Sequence, residues 1–171
     1  MHDPQKTDAL HSRAYQSPKI VPLKREQVIP TLNQHLDVQA GLCDALEKFA
    51  DRLPDAVTPD ECLTLAQMVY PAVHRAHQFE ENVLFPLLVQ LGSNEGEMQK
   101  TLDRLHGEHW EDEAFAEELA QALREFALMA DKRKTVDTLA YMIRGFFEGL
   151  RRHLAFEREH LMPILTAGSA R

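Results

Sequence analysis

Apolar residues recur along this chain at alternating spacings of three and four, in four separate stretches. The first stripe is Val28, Leu32, His35, Gln39, Leu42, Leu46, Phe49 and Leu53, and the second is Ala66, Tyr70, Val73, His77, Glu81, Leu84, Leu88 and Leu91. The third runs Met98, Leu102, Leu105, His109, Asp112, Ala116, Leu119, Leu123 and Phe126; the fourth runs Val136, Leu139, Ile143, Phe146, Leu150, His153, Glu157, His160 and Ile164. Such spacing presents one side of a helix to a core, and no strand-like alternation or hairpin signal competes with it. Leu53-Pro54, Thr58-Pro59-Asp60, Gly92-Ser93-Asn94 and the run 131–134 separate the stripes, and Thr58 or Asp60 suits a helix cap. Pro71 and Pro86 lie inside the second stripe, which predicts a kink, or a fresh start near Pro71. Residues 1–25 contain Pro4, Pro18 and Pro22 without periodicity and read as an irregular arm. Residues 26–167 read as an all-α, antiparallel up-down-up-down four-helix bundle with short connections.

Each stripe is interrupted by histidine at one place. Counted from the helix ends that would lie together, His35, His77, His109 and His153 agree in depth to within about two turns at ~1.5 Å per residue. Two of them head similar cassettes, His77-Gln78-Phe79-Glu80-Glu81 and His153-Leu154-Ala155-Phe156-Glu157. His77 with Glu81, and His153 with Glu157, keep a one-turn spacing, so imidazole and carboxylate point the same way. By that spacing Glu81 has a better claim than Glu80. A single histidine on an apolar face is usually a hydrogen-bonded core residue. Four on four seams, joined by two carboxylates, would cost several kcal/mol each if buried without a partner. A metal ion satisfies them together, and His35, His77, Glu81, His109, His153 and Glu157 are the expected ligands.

Other polar groups are weaker candidates. His74 and His106 lie one position off the seam, while His160 is on it, one turn beyond Glu157, as an additional ligand or acid–base group. Glu80, Asp112 and Glu113 could supply another carboxylate, although a solvated helix face is the commoner fate of such residues. Tyr70, Phe79, Phe85, Phe146 and Phe156 read as core packing around the site.

Composition narrows the function. A net charge of −8 leaves no surplus of Lys and Arg for phosphates, which argues against nucleic acid. Cys43 and Cys62 fit neither a zinc pattern nor a disulfide framework and read as reduced packing residues. The polar first 17 residues do not look like a secretory signal, and no apolar run reaches a membrane span, so a cytoplasmic protein is expected.

The ordered set resembles the hemerythrin-like, histidine-histidine-glutamate cation-binding family, bacterial branch, over about residues 28–166. It comprises a lone His35, His77 with Glu81, His109 preceded by Glu108, and His153 with Glu157, followed by Leu84-Phe85-Pro86 and Leu161-Met162-Pro163. The resemblance implies a non-haem centre of two iron ions, oxo- or hydroxo-bridged. Glu81 and Glu157 would bridge them, with His35 and His77 on one metal and His109 and His153 on the other. Oxygen-carrying members have a further third-helix histidine where Glu113 stands here, and an Asp one residue later than Glu157. The second metal would then be more open, or completed by His106, Glu113, His160 or water.

Imidazole and carboxylate donors suit iron, with Zn or Mn as substitutes. The expected role is binding or sensing of a diatomic gas, O2 or NO, or iron handling, in a dry cavity lined by Leu84, Leu105 and Leu150. The alternative is a di-iron oxidase, peroxidase or NO-reducing enzyme, with His160 or Tyr70 as acid–base group, or a repair protein for iron centres. A histidine phosphotransfer bundle is the remote alternative, because it needs one solvent-facing histidine rather than four on seams. A monomer and a homodimer are both compatible with the pattern, and no protein partner is identifiable.

Overall fold

A computed structural model describes residues 25–91, 95–129 and 135–167. The expected N-terminal arm, apart from Arg25, lies outside the described residues. The chain forms α1 (Arg25–Ala50), α2 (Pro59–Phe79), a π-helical segment π1 (Glu80–Leu84), α3 (Phe85–Leu91), α4 (Glu95–Leu128), α5 (Val136–Phe156), a second π segment π2 (Glu157–Leu161) and α6 (Met162–Ala167). Because α2, π1 and α3 are continuous, as are α5, π2 and α6, these amount to four helical rods, with no strand among the described residues. The protein is an all-α four-helix bundle.

Local chemistry sets the start of α2. The Thr58 hydroxyl accepts from the Glu61 backbone N–H at 3.2 Å, and Glu61 Oε2 accepts from the Thr58 N–H at 2.8 Å, while Pro59 occupies the first turn. This reciprocal capping satisfies donors that a helix start leaves open, and makes Thr58, not Asp60, the cap. Arg52 reaches back to Glu61 at 2.8 Å and ties the end of α1 to the same point.

The core runs the length of the bundle, from Val28, Leu32, Leu161 and Leu165 near one end to Phe49 and Ile143 toward the other. Each such Leu, Ile or Phe contributes about 1.5–3 kcal/mol when withdrawn from water. Outside it, Asp37, Asp44 and Asp51 meet Arg158, Arg151 and Arg144 at 3.3, 2.9 and 2.8 Å, so numbers fall along α5 as they rise along α1. The seven-residue spacing on both sides fixes register, although exposed pairs contribute only about 0–1 kcal/mol each.

Two expectations about the helices are corrected. The α1 seam passes through fully buried Leu36 rather than His35, which is half-buried with its ring 5.1 Å from Phe79. The second helix continues through Pro71, and its irregularity falls just before Pro86 instead. Both π segments directly precede an apolar-proline step, Phe85-Pro86 and Met162-Pro163, whereas Pro71 sits in regular α-helix. A proline lacks an N–H and its ring crowds the carbonyl four residues back. For Pro86 and Pro163 that carbonyl belongs to Asn82 and Glu159, inside π1 and π2. The bonds of the widened turns run from Phe85 N–H to the Glu80 carbonyl and from Met162 N–H to the Glu157 carbonyl. Among the described residues, no helix is long and apolar enough to cross a membrane.

Leu123 is fully buried in α4, 14 residues from His109, or about 21 Å along the helix. Leu123→Ala should cost about 2–5 kcal/mol in urea unfolding of the metal-free protein and leave metal content unchanged. A parallel loss of metal would show that the two ends of the core are coupled.

Candidate metal centre

The two π segments begin with buried glutamates, Glu80 and Glu157, both with no exposed surface. Three buried histidines join them: His77 from α2, His109 from α4 and His153 from α5. Donor atoms of Glu80, His109, His153 and Glu157 all lie within 4.8 Å of one another, as do those of His77, His109 and His153. The rings of His77 and His109 stack at 3.9 Å and 7°, and Phe85 also stacks on His109 at 5.5 Å.

The proton positions follow from the outer contacts. His109 Nδ1 lies 3.0 Å from Glu81 Oε1, and His77 Nδ1 lies 3.1 Å from Glu113 Oε1. A neutral imidazole donates from Nδ1 to these carboxylates, which leaves an unprotonated Nε2 facing inward. His77 Nε2 and both Glu157 oxygens have no hydrogen-bond partner among the described protein groups. His109 Nε2 and Glu80 Oε2 approach to 3.0 Å without hydrogen-bond geometry. These lone-pair donors, clustered in a dry core, fit a cation, and the carboxylate–imidazole set suits a first-row transition metal.

The electrostatics are equally one-sided. Burial pulls the His77 pKa down to about 2, assisted by the neighbouring His109 and His153, so its contact with Glu113 is a hydrogen bond of a neutral ring. Burial likewise lowers His109. Burial raises Glu80 well above the carboxylate range, and the adjacent Glu157 adds to the effect. For His153, burial alone would lower the pKa, but Glu157, Glu80 and Asp112 reverse the sign and hold it at about 9. Burial also works upward on Glu81, yet its bonds from His109 and His106 keep it below the usual range.

His77, His109, His153 and Glu157 thus come together where the spacing puts them. Glu81 and His35 do not join them. Glu81 is 27% exposed in its side chain and accepts from His106 Nδ1 at 2.9 Å as well as from His109. The buried stripe passes Val69, Val73, Ala76 and His77 to Glu80 and Leu84, so after His77 the inward step is three residues, not four. A signal for Glu80 was present: it stands six residues before Pro86, as Glu157 stands six before Pro163. His35 lies beside the seam, whose buried position Leu36 takes.

The remaining candidates are outside the cluster. Glu113 bridges His77 and His74, the latter at 2.9 Å from its Nδ1, and Tyr70 Oη is 3.3 Å from the same nitrogen. His160 is exposed and packs edge-on to Phe156 at 4.5 Å, which corrects its placement on the seam. Leu84, Leu105 and Leu150 are buried as expected, and so are the free thiols Cys43 and Cys62. Gln39 is fully buried with an unpartnered amide, a polar seam residue given no role by spacing alone.

His77 yields a pH test. Its folded pKa of about 2 lies below the ordinary 6.5, so the stability it contributes is complete above pH 6.5 and is lost as pH falls. At 1.36 kcal/mol per pH unit, metal-free wild type should lose about 3 kcal/mol more than His77→Leu between pH 6.5 and 4. Urea unfolding at both pH values measures the difference; parallel losses would contradict a neutral His77.

The family model described as the hemerythrin HHE cation binding domain matches residues 30–165. Comparison with curated proteins and with solved structures found no match.

Proposed function

Since the chain belongs to the hemerythrin HHE cation-binding family, we propose that its buried cluster holds two iron ions, through which the protein binds or senses O2 or NO or handles iron. The observation that carries this reading is the convergence of Glu80, Glu157 and the inward nitrogens of His77 and His109, none of them hydrogen-bonded to another protein group. Glu80 and Glu157, at the starts of the two π segments, would be the carboxylate ligands, with Glu80 in the place that spacing gave to Glu81. His77, His109 and His153 are the imidazole ligands, and Gln39 is a buried amide without a ligand role in this assignment.

The chain's own work is to bind, orient and exclude water. Glu81 and Glu113 hold the Nδ1 protons of His109 and His77, which keeps each Nε2 free to bind metal. Glu80 and His153 must each give up a proton for metal to bind, so affinity should rise with pH. Phe85 stacks on His109 and shields that side of the site, and Leu84, Leu105 and Leu150 are buried in the same core. When bound, iron(II) supplies the coordination position and electrons for a diatomic gas. The enzymatic alternative assigns acid–base work to His160 or Tyr70. His160 is exposed, and Tyr70 is tied to His74, which favours binding over turnover.

Anaerobic loading with iron(II), dialysis and elemental analysis test the assignment. About two irons per chain are expected for wild type, and a loss of at least one for Glu80→Gln. Glu81→Gln should keep both with roughly 10–100-fold weaker affinity. Admitting NO to the loaded protein should produce a visible absorption band. Retention of two irons by Glu80→Gln would refute the ligand assignment, and an unchanged spectrum under both NO and O2 would refute gas binding.

A further inference from the structure

A cavity of about 290 Å³ opens between α4 and α5, and its inner wall is His153. It therefore reaches a member of the cluster from solvent. A larger cavity of about 430 Å³, between π1–α3 and α4, ends on Glu81 and Phe85. The Phe85 ring stacks on His109 and closes that approach.

The α4–α5 cavity carries carboxylates at graded depth. Glu111 is exposed, the Glu108 side chain is 39% exposed and that of Asp112 is 23% exposed. Behind them His153 Nδ1 is buried and has no hydrogen-bond partner, 3.6 Å from Glu108 Oε2 and 3.7 Å from Asp112 Oδ2. The two carboxylates offer oxygen donors to a metal cation, and the His153 ring, a member of the cluster, stands directly behind them. Two guanidiniums share the lining, but Arg104 is already paired with Glu108 at 3.3 Å and lies over the Phe156 ring at 4.7 Å. An arriving cation would compete with Arg104 for Glu108.

The opening depends on Gly149, one turn before His153 in α5. A Cβ added there would meet only Arg152 Nη2, at 4.0 Å, so a side chain has room to grow across the cavity.

We propose that this cavity is the loading port of the cluster, where a divalent metal cation is first held by Glu108 and Asp112 against His153. The proposal rests on the reading of the cluster as a metal site, and the test separates the two. Metal-free protein is mixed with cobalt(II), and uptake is followed by visible absorption, with cobalt per chain measured at the end. Gly149→Leu should slow uptake at least tenfold and reach the wild-type stoichiometry. Asp112→Asn, which keeps the side-chain volume, should slow it several-fold, and Glu111→Gln should slow it at low salt only. Gln99→Trp, which fills the larger cavity, should load at the wild-type rate. Wild-type rates in both Gly149→Leu and Asp112→Asn would overturn the port and leave the metal site standing. So would slowing by Gln99→Trp alone. Failure of the wild type to take up cobalt at all would overturn the metal reading and the port with it.

Discussion

Two carboxylates and three imidazoles in the dry centre of a helical bundle constitute an electrostatic demand that the protein alone does not meet. Burying ionised groups costs several kcal/mol each unless a counter-charge and hydrogen bonds compensate. The metal-free chain copes by moving protons. Glu80 is driven toward its neutral form, His77 is kept neutral, and His153 holds a proton among Glu157, Glu80 and Asp112. A metal cation resolves the same demand by taking the lone pairs directly. Much of the surrounding structure follows from that requirement.

The outer carboxylates serve it by fixing tautomers. Glu81 and Glu113 each accept hydrogen bonds from two histidines, one of them in the cluster and the other, His106 or His74, nearer solvent. The imidazoles are thus positioned by bonds made on the side away from the cluster. The π segments serve it by geometry, since each widened turn starts with an inward glutamate and ends with a buried leucine ahead of an apolar-proline step. The Asp–Arg ladder between α1 and α5 contributes register more than energy.

The four rods, their breaks and the placement of His77, His109, His153 and Glu157 were legible because amphipathic periodicity and proline breaks are strong signals. Positions one residue apart on a helix were not. A 100° step separates Leu36 from His35 and Glu80 from Glu81, and a stripe about that wide admits either. Packing against α5 and α2 decided the first pair. The widened turn before Pro86 decided the second, and a count back from Pro86 and Pro163 would have found it. The outer partners were illegible for a different reason. Contacts such as Glu113 with His77 join residues 36 apart on different helices, and no local pattern encodes them.

The central proposal is that Glu80 and Glu157 would hold metal in this cluster together with the buried histidines. Anomalous X-ray diffraction at the iron edge, on crystals loaded with iron(II) under anaerobic conditions, tests it most directly. The account predicts two anomalous peaks about 3.5–4 Å apart, flanked by Glu80, Glu157 and the Nε2 atoms of His77, His109 and His153. A single peak, or peaks centred on Glu81 and His106, would contradict it.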